Sequence, residues 1–330
     1  MSKVKDNAYL ALTAMLRARE AKMLDRDRME RMLNAPTAAD AAKMLVDCGY
    51  EDMSALDAKM LDVVLNAHKQ GIFEEIHRMS PEPELVDLFR LRYDYHNAKV
   101  VIKSAGAGVN AEYLYSGSGR VAAEKLAAAY AEDDYSDLPA ALAEAVADAK
   151  SMLAKTGNPQ LADFILDRAY FAEMTAMAQA QGNKFLADYV KVMIDAANLR
   201  TVVRTARMGK GVEFLQQALV SGGNASVEAL SLAAEGEGLA GLVPSVLAEA
   251  AELGVEAMKD GSMTKFELAC DNAVAAFLSG AKYVTFGCQP VLKYLAAIEA
   301  EITAIRMILS GKMADIAPGV IRERLRDIYA

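Results

Sequence analysis

One group of closely spaced carboxylates, Asp133, Asp134 and Asp137, has residue types and spacing that suit chemistry. Their DDxxD spacing is the one with which helical prenyl-transfer enzymes hold magnesium on a diphosphate, since it places carboxylates on one helix face and hard cations prefer oxygen ligands. Those enzymes need a second acidic motif, and the best candidate, Asp271-Asn272, is not followed by the required serine and glutamate. A nearby serine and proline favour a solvated link between helices. A magnesium-dependent, prenyl-transfer-like enzyme is therefore the alternative hypothesis.

Other residues with catalytic or ligand chemistry lack the spacing that such chemistry needs. Gly209-Lys210 resembles the end of a phosphate-binding loop, but the glycine expected five positions earlier is absent and Gly211 stands where Ser or Thr would hold magnesium. No histidines have the spacing of zinc ligands on a helix, and no cysteines form a CxxC pair. These residues are His68, His77, His96, Cys48, Cys270 and Cys288. The sequence thus predicts no catalytic residue, no metal site and no bound cofactor.

The composition points to a globular protein of the cytoplasm. The chain has 330 residues, is 53% hydrophobic and carries a formal net charge of -9, which argues against a nucleic-acid partner. Three cysteines without a pairing motif indicate reduced thiols in a reducing compartment. The most apolar stretch is interrupted by Gly241, Pro244 and Glu249, and the first residues lack the apolar core of a signal peptide. We therefore expect a soluble protein that does not cross a membrane.

The residue usage and the apolar periodicity predict helices throughout. Ala, Leu, Met, Glu, Lys and Arg dominate and strand-like alternation is rare, which favours an all-α fold. The clearest helix begins near Pro290 and should end at Gly311. Its apolar residues are spaced four and three apart in turn, as one helix face requires. They are Val291, Leu295, Ile298, Ile302, Ile305 and Leu309.

One pattern of residues recurs along the chain at nearly equal intervals. Its first copy runs from Asp94 to Lys103, its second from Asp195 to Arg204, and its third ends at Arg306. Lys103 and Arg204 are 101 residues apart, and Arg204 and Arg306 are 102 apart. We call Lys103, Arg204 and Arg306 the repeated cations. A glycine follows each of them five residues later: Gly108, Gly209 and Gly311. Such spacing is typical of a tandem repeat.

The repeated residues have a structural interpretation. Each repeated cation is expected near the carbonyl end of a long helix, where positive charge is favourable, and the glycine is expected to supply the left-handed turn that ends the helix. Binding to an anionic surface is the alternative role. Asp94 and Asp195 are expected to pair with basic residues on a neighbouring helix. The third copy has Ala297 at that position, with Glu299 and Glu301 nearby.

The repeat predicts three helical units, at residues 1–108, 109–211 and 212–330. Before each repeated helix we expect another helix, which contains Leu61-Asp62, Leu166-Asp167 or Cys270-Asp271 in a looser match. Units of this size are longer than ordinary helical repeats. Three of them could form a solenoid or close around a pseudo-threefold axis.

Several segments together resemble a known family, the V-type or A-type ATPase subunit called C in prokaryotes and d in eukaryotes. In residues 294–312 an acidic pair leads to Arg306 and then to Gly311-Lys312, as in the third copy of that family. Residues 321–329 are similar to its usual ending, 17–24 to its first helix and 195–204 to its middle copy. Thr303 departs from the asparagine of many relatives.

The resemblance implies a function that no motif shows directly. It implies a funnel of three helical units in a pseudo-threefold arrangement, with one face on the membrane rotor ring and its mouth around the foot of the central axle. Such a component is not an enzyme. It passes torque between the axle and the ring that moves protons or sodium ions, in ATP hydrolysis or in ATP synthesis, and it is peripheral to the membrane. The structural and interaction candidates are Lys103, Arg204, Arg306, Asp94, Asp195 and Glu299.

Overall fold

The computed structural model describes residues 4–55, 57–233 and 235–327, and every regular element in these ranges is a helix. The predicted all-α fold class is confirmed. The α-helices, which short 3-10 segments supplement, are α1 (Leu10–Glu20), α2 (Arg26–Asn34), α3 (Ala38–Lys43), α4 (Ala58–Met79), α5 (Glu84–Ala107), α6 (Ala123–Glu132), α7 (Ala140–Thr156), α8 (Pro159–Gln181), α9 (Lys184–Arg207), α10 (Val212–Ala218), α11 (Val227–Leu232), α12 (Leu239–Leu242), α13 (Ala248–Lys259), α14 (Met263–Ser279), α15 (Cys288–Met313) and α16 (Pro318–Arg322).

The chain divides into two compact units by its internal contacts. Residues 87–244 form the middle unit, and residues 4–86 form the outer unit together with 245–327. The three tandem copies with boundaries at 108 and 211 stay a prediction. No helix in the described part of the chain combines the length and the apolar character that a membrane crossing requires.

Two helices of the middle unit, α7 and α9, pack against α8. Helices α7 and α8 are joined by Gly157 and Asn158 and lie against each other, while α9 packs on α8 and α10 on α9. Asn158 accepts a hydrogen bond from the backbone N–H of Gln160, so its side chain satisfies a free amide at the start of α8. The rings of Phe89 and Tyr189 stack at 6.1 Å, which places the first halves of α5 and α9 near each other.

Helix α15 is the centre of the outer unit and packs against α1, α2, α3, α4 and α14. All six residues of its predicted apolar stripe are buried, so that prediction is confirmed. Burial extends beyond one stripe, because helices surround α15 on several sides. Lys293 and Glu301, which are polar, lie among the buried residues of this helix.

The ends of the three repeated helices differ from the prediction in one case. Gly108 and Gly209 are left-handed, with φ of 66° and 62°, and end α5 and α9 as predicted. The prediction for Gly311 is wrong, because α15 continues to Met313 and Asp315 takes the left-handed conformation at φ 55°. Gly311 is instead a packing contact: a Cβ there would lie 2.7 Å from Cδ1 of Ile321.

Candidate functional site: polar residues of the repeated helices

Asp94, in the middle of α5, is fully buried and holds the loop that precedes α6. Its Oδ1 accepts hydrogen bonds from the backbone N–H groups of Arg120 at 2.7 Å and Val121 at 3.1 Å. Its Oδ2 accepts from Nε of Arg120 at 2.6 Å. The loop comes so close that a Cβ on Gly119 would lie 2.5 Å from Oδ1 of Asp94. Asp94 therefore acts as a tie between a long helix and the chain segment that follows it.

Arg120 balances the charge of Asp94 and belongs to a small, partly buried cluster. Nη2 of Arg120 lies 2.9 Å from Oε1 of Glu173 on α8, an ion pair whose geometry is not that of a hydrogen bond. The hydroxyl of Tyr95 donates to Oε2 of Glu173 at 2.9 Å. Burial raises the pKa of Asp94, while the hydrogen bond from Arg120 opposes the rise. The cluster joins α5, α8 and the loop.

Asp195 makes the corresponding tie in the second repeated helix. It is fully buried, and it accepts hydrogen bonds from the backbone N–H of Asn224 at 3.1 Å, from Nδ2 of Asn224 at 2.7 Å and from the backbone N–H of Ala225 at 3.0 Å. A Cβ on Gly223 would lie only 2.2 Å from Oδ1 of Asp195. The glycine therefore allows the loop to approach the carboxylate.

The expected pairing of these carboxylates with basic residues on a neighbouring helix is wrong. The basic partner of Asp94 is Arg120, which lies in a loop, and the three hydrogen bonds that hold Asp195 to its loop come from neutral donors. The physical reason is that a buried loop carries backbone N–H groups that must find acceptors, and a carboxylate supplies two acceptor oxygens.

Asn97 and Asn198, each three residues after the aspartate, reinforce the ties. Nδ2 of Asn97 donates to the carbonyl of Ser116 and its Oδ1 accepts from Ser116 N–H, both at 2.9 Å. Asn198 makes the same reciprocal pair with Val220, at 2.7 and 2.8 Å. Both asparagines belong to the repeated pattern, but sequence reasoning assigned them no role. Their recurrence beside a repeated aspartate is the signal that could have identified them.

The third repeated helix makes its tie with a different residue, Glu301. Ala297 and Ala300 stand where the aspartate and the asparagine would be. Glu301, 3% exposed, accepts from the backbone N–H of Leu24 at 2.5 Å and from the hydroxyl of Tyr50 at 2.8 Å. Burial raises the pKa of Glu301, and these two hydrogen bonds oppose the rise. The tie therefore joins α15 to the segment that follows α1.

The predicted candidate Glu299 lies two residues from this carboxylate and is half-buried. Its backbone carbonyl accepts a hydrogen bond from Oγ1 of Thr303 at 2.8 Å. The sequence alone did not distinguish Glu299 from Glu301, because both stand near the position of Ala297.

Two of the repeated cations make equivalent ion pairs. Lys103 lies 2.6 Å from Asp163 on α8, and Arg306 lies 2.5 Å from Asp62 on α4. The two aspartates are 101 residues apart, which is the repeat interval. The structure therefore matches Asp62 with Asp163 and corrects the looser match of Asp62 with Asp167.

The positions of the repeated cations within their helices also differ from the prediction. Of the three, only Arg204 lies in the last turn of its helix, where it is exposed. Lys103 and Arg306 stand further from the helix ends, because α5 continues to Ala107 and α15 to Met313. Both pair with a carboxylate on a neighbouring helix, and neither lies in the last turn, where the helix dipole favours positive charge.

The alternative hypothesis requires the DDxxD carboxylates to share a helix face. In the structure they do not, because α6 ends at Glu132. Asp133 is left-handed at the end of α6 and pairs with Lys150 at 2.9 Å, and this hydrogen bond lowers the pKa of Asp133. Asp134 accepts from the backbone N–H of Ser136 at 3.0 Å, and Asp137 follows in the same exposed loop. Within the described ranges no three His, Cys, Asp or Glu residues are grouped as metal ligands.

The fold and these contacts define a class of protein: an all-helical chain in which recurring polar residues of long helices fasten a loop or a neighbouring helix. The comparison with protein families then identifies the family. The model of the ATP synthase (C/AC39) subunit matches residues 12–324, so this chain belongs to that family.

Several individual relatives are similar over nearly their whole length. The C subunit of the V-type sodium ATPase of Enterococcus hirae is 24% identical, over 97% of this chain and 99% of that protein. The C subunit of the A-type ATP synthase of Methanocaldococcus jannaschii is 23% identical, over 96% and 86%. That of Halobacterium salinarum is 25% identical, over 96% and 97%. The predicted resemblance is confirmed, and a structural component of a V-type or A-type ATPase is favoured over the prenyl-transfer-like enzyme.

Proposed function

We propose that this chain links the central axle of a rotary ATPase to its membrane rotor ring and transmits torque between them. The ring moves protons or sodium ions, and the chain attaches to the cytoplasmic side of the membrane through protein contacts. The observation that carries this proposal, beyond family membership, is the recurrence of buried helix-to-loop ties at Asp94, Asp195 and Glu301. We further propose three tandem units, at 1–108, 109–211 and 212–330.

The ties support a mechanical role because they oppose movement of the loops relative to the long helices. Each buried carboxylate holds at least two donors, and displacement of the loop would leave those groups unsatisfied inside the protein. The ion pairs of Lys103 and Arg306 also connect neighbouring helices, but they are exposed and contribute little to this stiffness. A part that transmits torque needs such stiffness. Lys103, Arg306, Asp94 and Asp195 are therefore structural candidates, while the exposed Arg204 is a candidate for contact with a partner.

The net charge of the chain should affect how fast it associates with its partners. The chain carries a formal net charge of -9, and an acidic exterior complements basic ring loops or a basic axle tip. Such complementarity mainly accelerates association, and salt screens it. The association rate with either partner should therefore fall as ionic strength rises.

The test is reconstitution with the ATPase of the same organism. Membranes that lack this chain should retain ATP hydrolysis by the catalytic part but lose ATP-driven ion transport, and the purified chain should restore transport. Purified ring and purified axle should each bind the chain in a pull-down. The proposal is wrong if neither partner binds, or if transport is unchanged without the chain. A matched control, Asp133→Ala with Asp134→Ala, should restore transport fully.

A further inference from the structure

Residues 322–327, which we call the strap, connect α2 with α14 inside the outer unit. Arg322 binds the carboxylate of Glu30 on α2 through two nitrogens, with Nη2 at 2.8 Å from Oε2 and Nε at 2.9 Å from Oε1. Nε of Arg326 lies 2.5 Å from Oδ2 of Asp271 on α14. The strap thus has a charged attachment at each end.

The attachments of the strap are weak because they are exposed. The side chains of Arg322 and Glu30 are 45% and 38% exposed, and those of Arg326 and Asp271 are 37% and 32% exposed. Ion pairs with this much solvent contact contribute little to stability and are screened by salt. The buried apolar contact belongs to Ile321, just before the strap, which is 3% exposed and packs on Gly311.

Two cavities lie on either side of the strap. One, of about 320 Å³, is lined by Met29 and by strap residues including Leu325 and Arg326. The other, of about 330 Å³, is lined by Leu268, Met307 and again Arg326. Since Arg326 lines both, the strap is the wall between them. Its displacement would join the two cavities into one groove, whose lining includes Met29, Leu268 and Met307 beside the charged Glu30 and Glu267.

We propose that the strap is a detachable, charge-held cover that opens as a local unit while Ile321 keeps its place as the anchor. Opening breaks the Glu30 and Asp271 ion pairs and uncovers the groove between α2 and α14. The strap is held shut by two exposed ion pairs and by an exposed hydrogen bond from the backbone N–H of Asp327 to Oδ1 of Asn272. Because salt screens the ion pairs, opening becomes more frequent as salt rises. It requires less free energy than unfolding of the outer unit, whose core is apolar. The inference does not depend on the proposed torque function.

Limited trypsin digestion of the full chain tests the proposal, since the strap contains three cleavage sites, at Arg322, Arg324 and Arg326. Cleavage there should precede cleavage elsewhere. Its rate should rise roughly 2- to 30-fold between low and high salt, as expected from the loss of two exposed ion pairs. Arg120, whose side chain is only 17% exposed and is held by Asp94, is the internal control and should be cut slowly at both salt concentrations. Hydrogen exchange of residues 323–327, measured by mass spectrometry, reports the same opening without trypsin, so an effect of salt on trypsin activity cannot alter this result.

Charge variants separate the strap from general instability. Arg322→Glu should open the strap at low salt, and the swapped pair Glu30→Arg with Arg322→Glu should close it again. Arg324→Glu, at an exposed position of the strap that takes no part in either attachment, should leave hydrogen exchange of the strap unchanged. The circular dichroism spectrum should stay that of the native protein in each variant. Exchange that is independent of salt and unaffected by Arg322→Glu would overturn the proposal, as would opening that occurs only with global unfolding.

Discussion

Replacement of Asp195 by alanine is the most direct perturbation of a helix-to-loop tie. The substitution removes the acceptor of two backbone N–H groups, at Asn224 and Ala225, and of the side-chain amide of Asn224. The helix itself should persist, since alanine is the best helix former. The expected effect is therefore release of the loop that leads into α11, with a loss of global stability.

The magnitude follows from the burial of each donor. Ala225 is 6% exposed, so its amide loses its acceptor without replacement by water, at a cost of about 1–3 kcal/mol. Asn224 is exposed, and water can satisfy its groups at a smaller cost. Together these give about 2–4 kcal/mol. Asp195→Asn, which keeps one acceptor oxygen, should lose about half as much.

Urea unfolding, followed by circular dichroism, measures this loss of stability. The slope of the unfolding free energy against urea concentration should be unchanged, which indicates that the native state is otherwise intact. Hydrogen exchange should also accelerate at residues 220–226. The matched control is Asp188→Ala on the same helix, whose carboxylate pairs with Lys184, a side chain that is 88% exposed. That control should cost at most about 0.5 kcal/mol. If Asp195→Ala is no more destabilising than Asp188→Ala, the interpretation of the ties is wrong.

Two further predictions concern α15 and its neighbours. Burial raises the pKa of Glu301, because ionisation of its carboxyl group costs more in the folded protein than in the unfolded chain. The protonated group therefore contributes its full stability below the usual pKa of 4.5. That contribution is lost as pH rises through the folded pKa. The wild type should therefore lose stability relative to Glu301→Gln as pH rises above 4.5. If urea unfolding gives the same difference in unfolding free energy between the two proteins at every pH, this prediction is wrong. Gly311→Ala should destabilise the protein by about 1 kcal/mol, because the contact with Ile321 outweighs the gain in helix propensity. Gly71→Ala on α4, where the added methyl meets no atom within 4 Å, should stabilise by about 0.5–1 kcal/mol, and equal shifts in melting temperature for the two variants would refute the packing role of Gly311.

The sequence predicted the features that depend on local pattern. The apolar stripe of α15 follows from a spacing of three and four residues, and its burial is confirmed. The left-handed ends at Gly108 and Gly209 follow from the conformational freedom of glycine. Gly311 has the same position in the repeat and a different role, because the side chain of Ile321 packs against it. That contact comes from a residue ten positions later and is not encoded in the local pattern.

The partners of the charged residues could not be predicted in the same way. Asp94 was recognisable as part of a repeat, but its partner Arg120 lies 26 residues away in a loop without periodicity. Glu301 became the third tie only because Leu24 and Tyr50 lie beside it. The carboxylates of the DDxxD motif failed to share a face because α6 ends at Glu132, just before them.

By itself the sequence determined that this protein is helical, that a pattern recurs every 101 or 102 residues, and which family it resembles. These properties depend on periodicity and on interval, which can be read along one chain. Only the tertiary structure decided which carboxylate holds which loop, where α15 ends, and that the strap joins α2 to α14 through exposed ion pairs. The physical reason is that a buried polar group takes whichever donor or acceptor the packing brings within about 3 Å. That neighbour is set by the three-dimensional arrangement and not by distance along the chain.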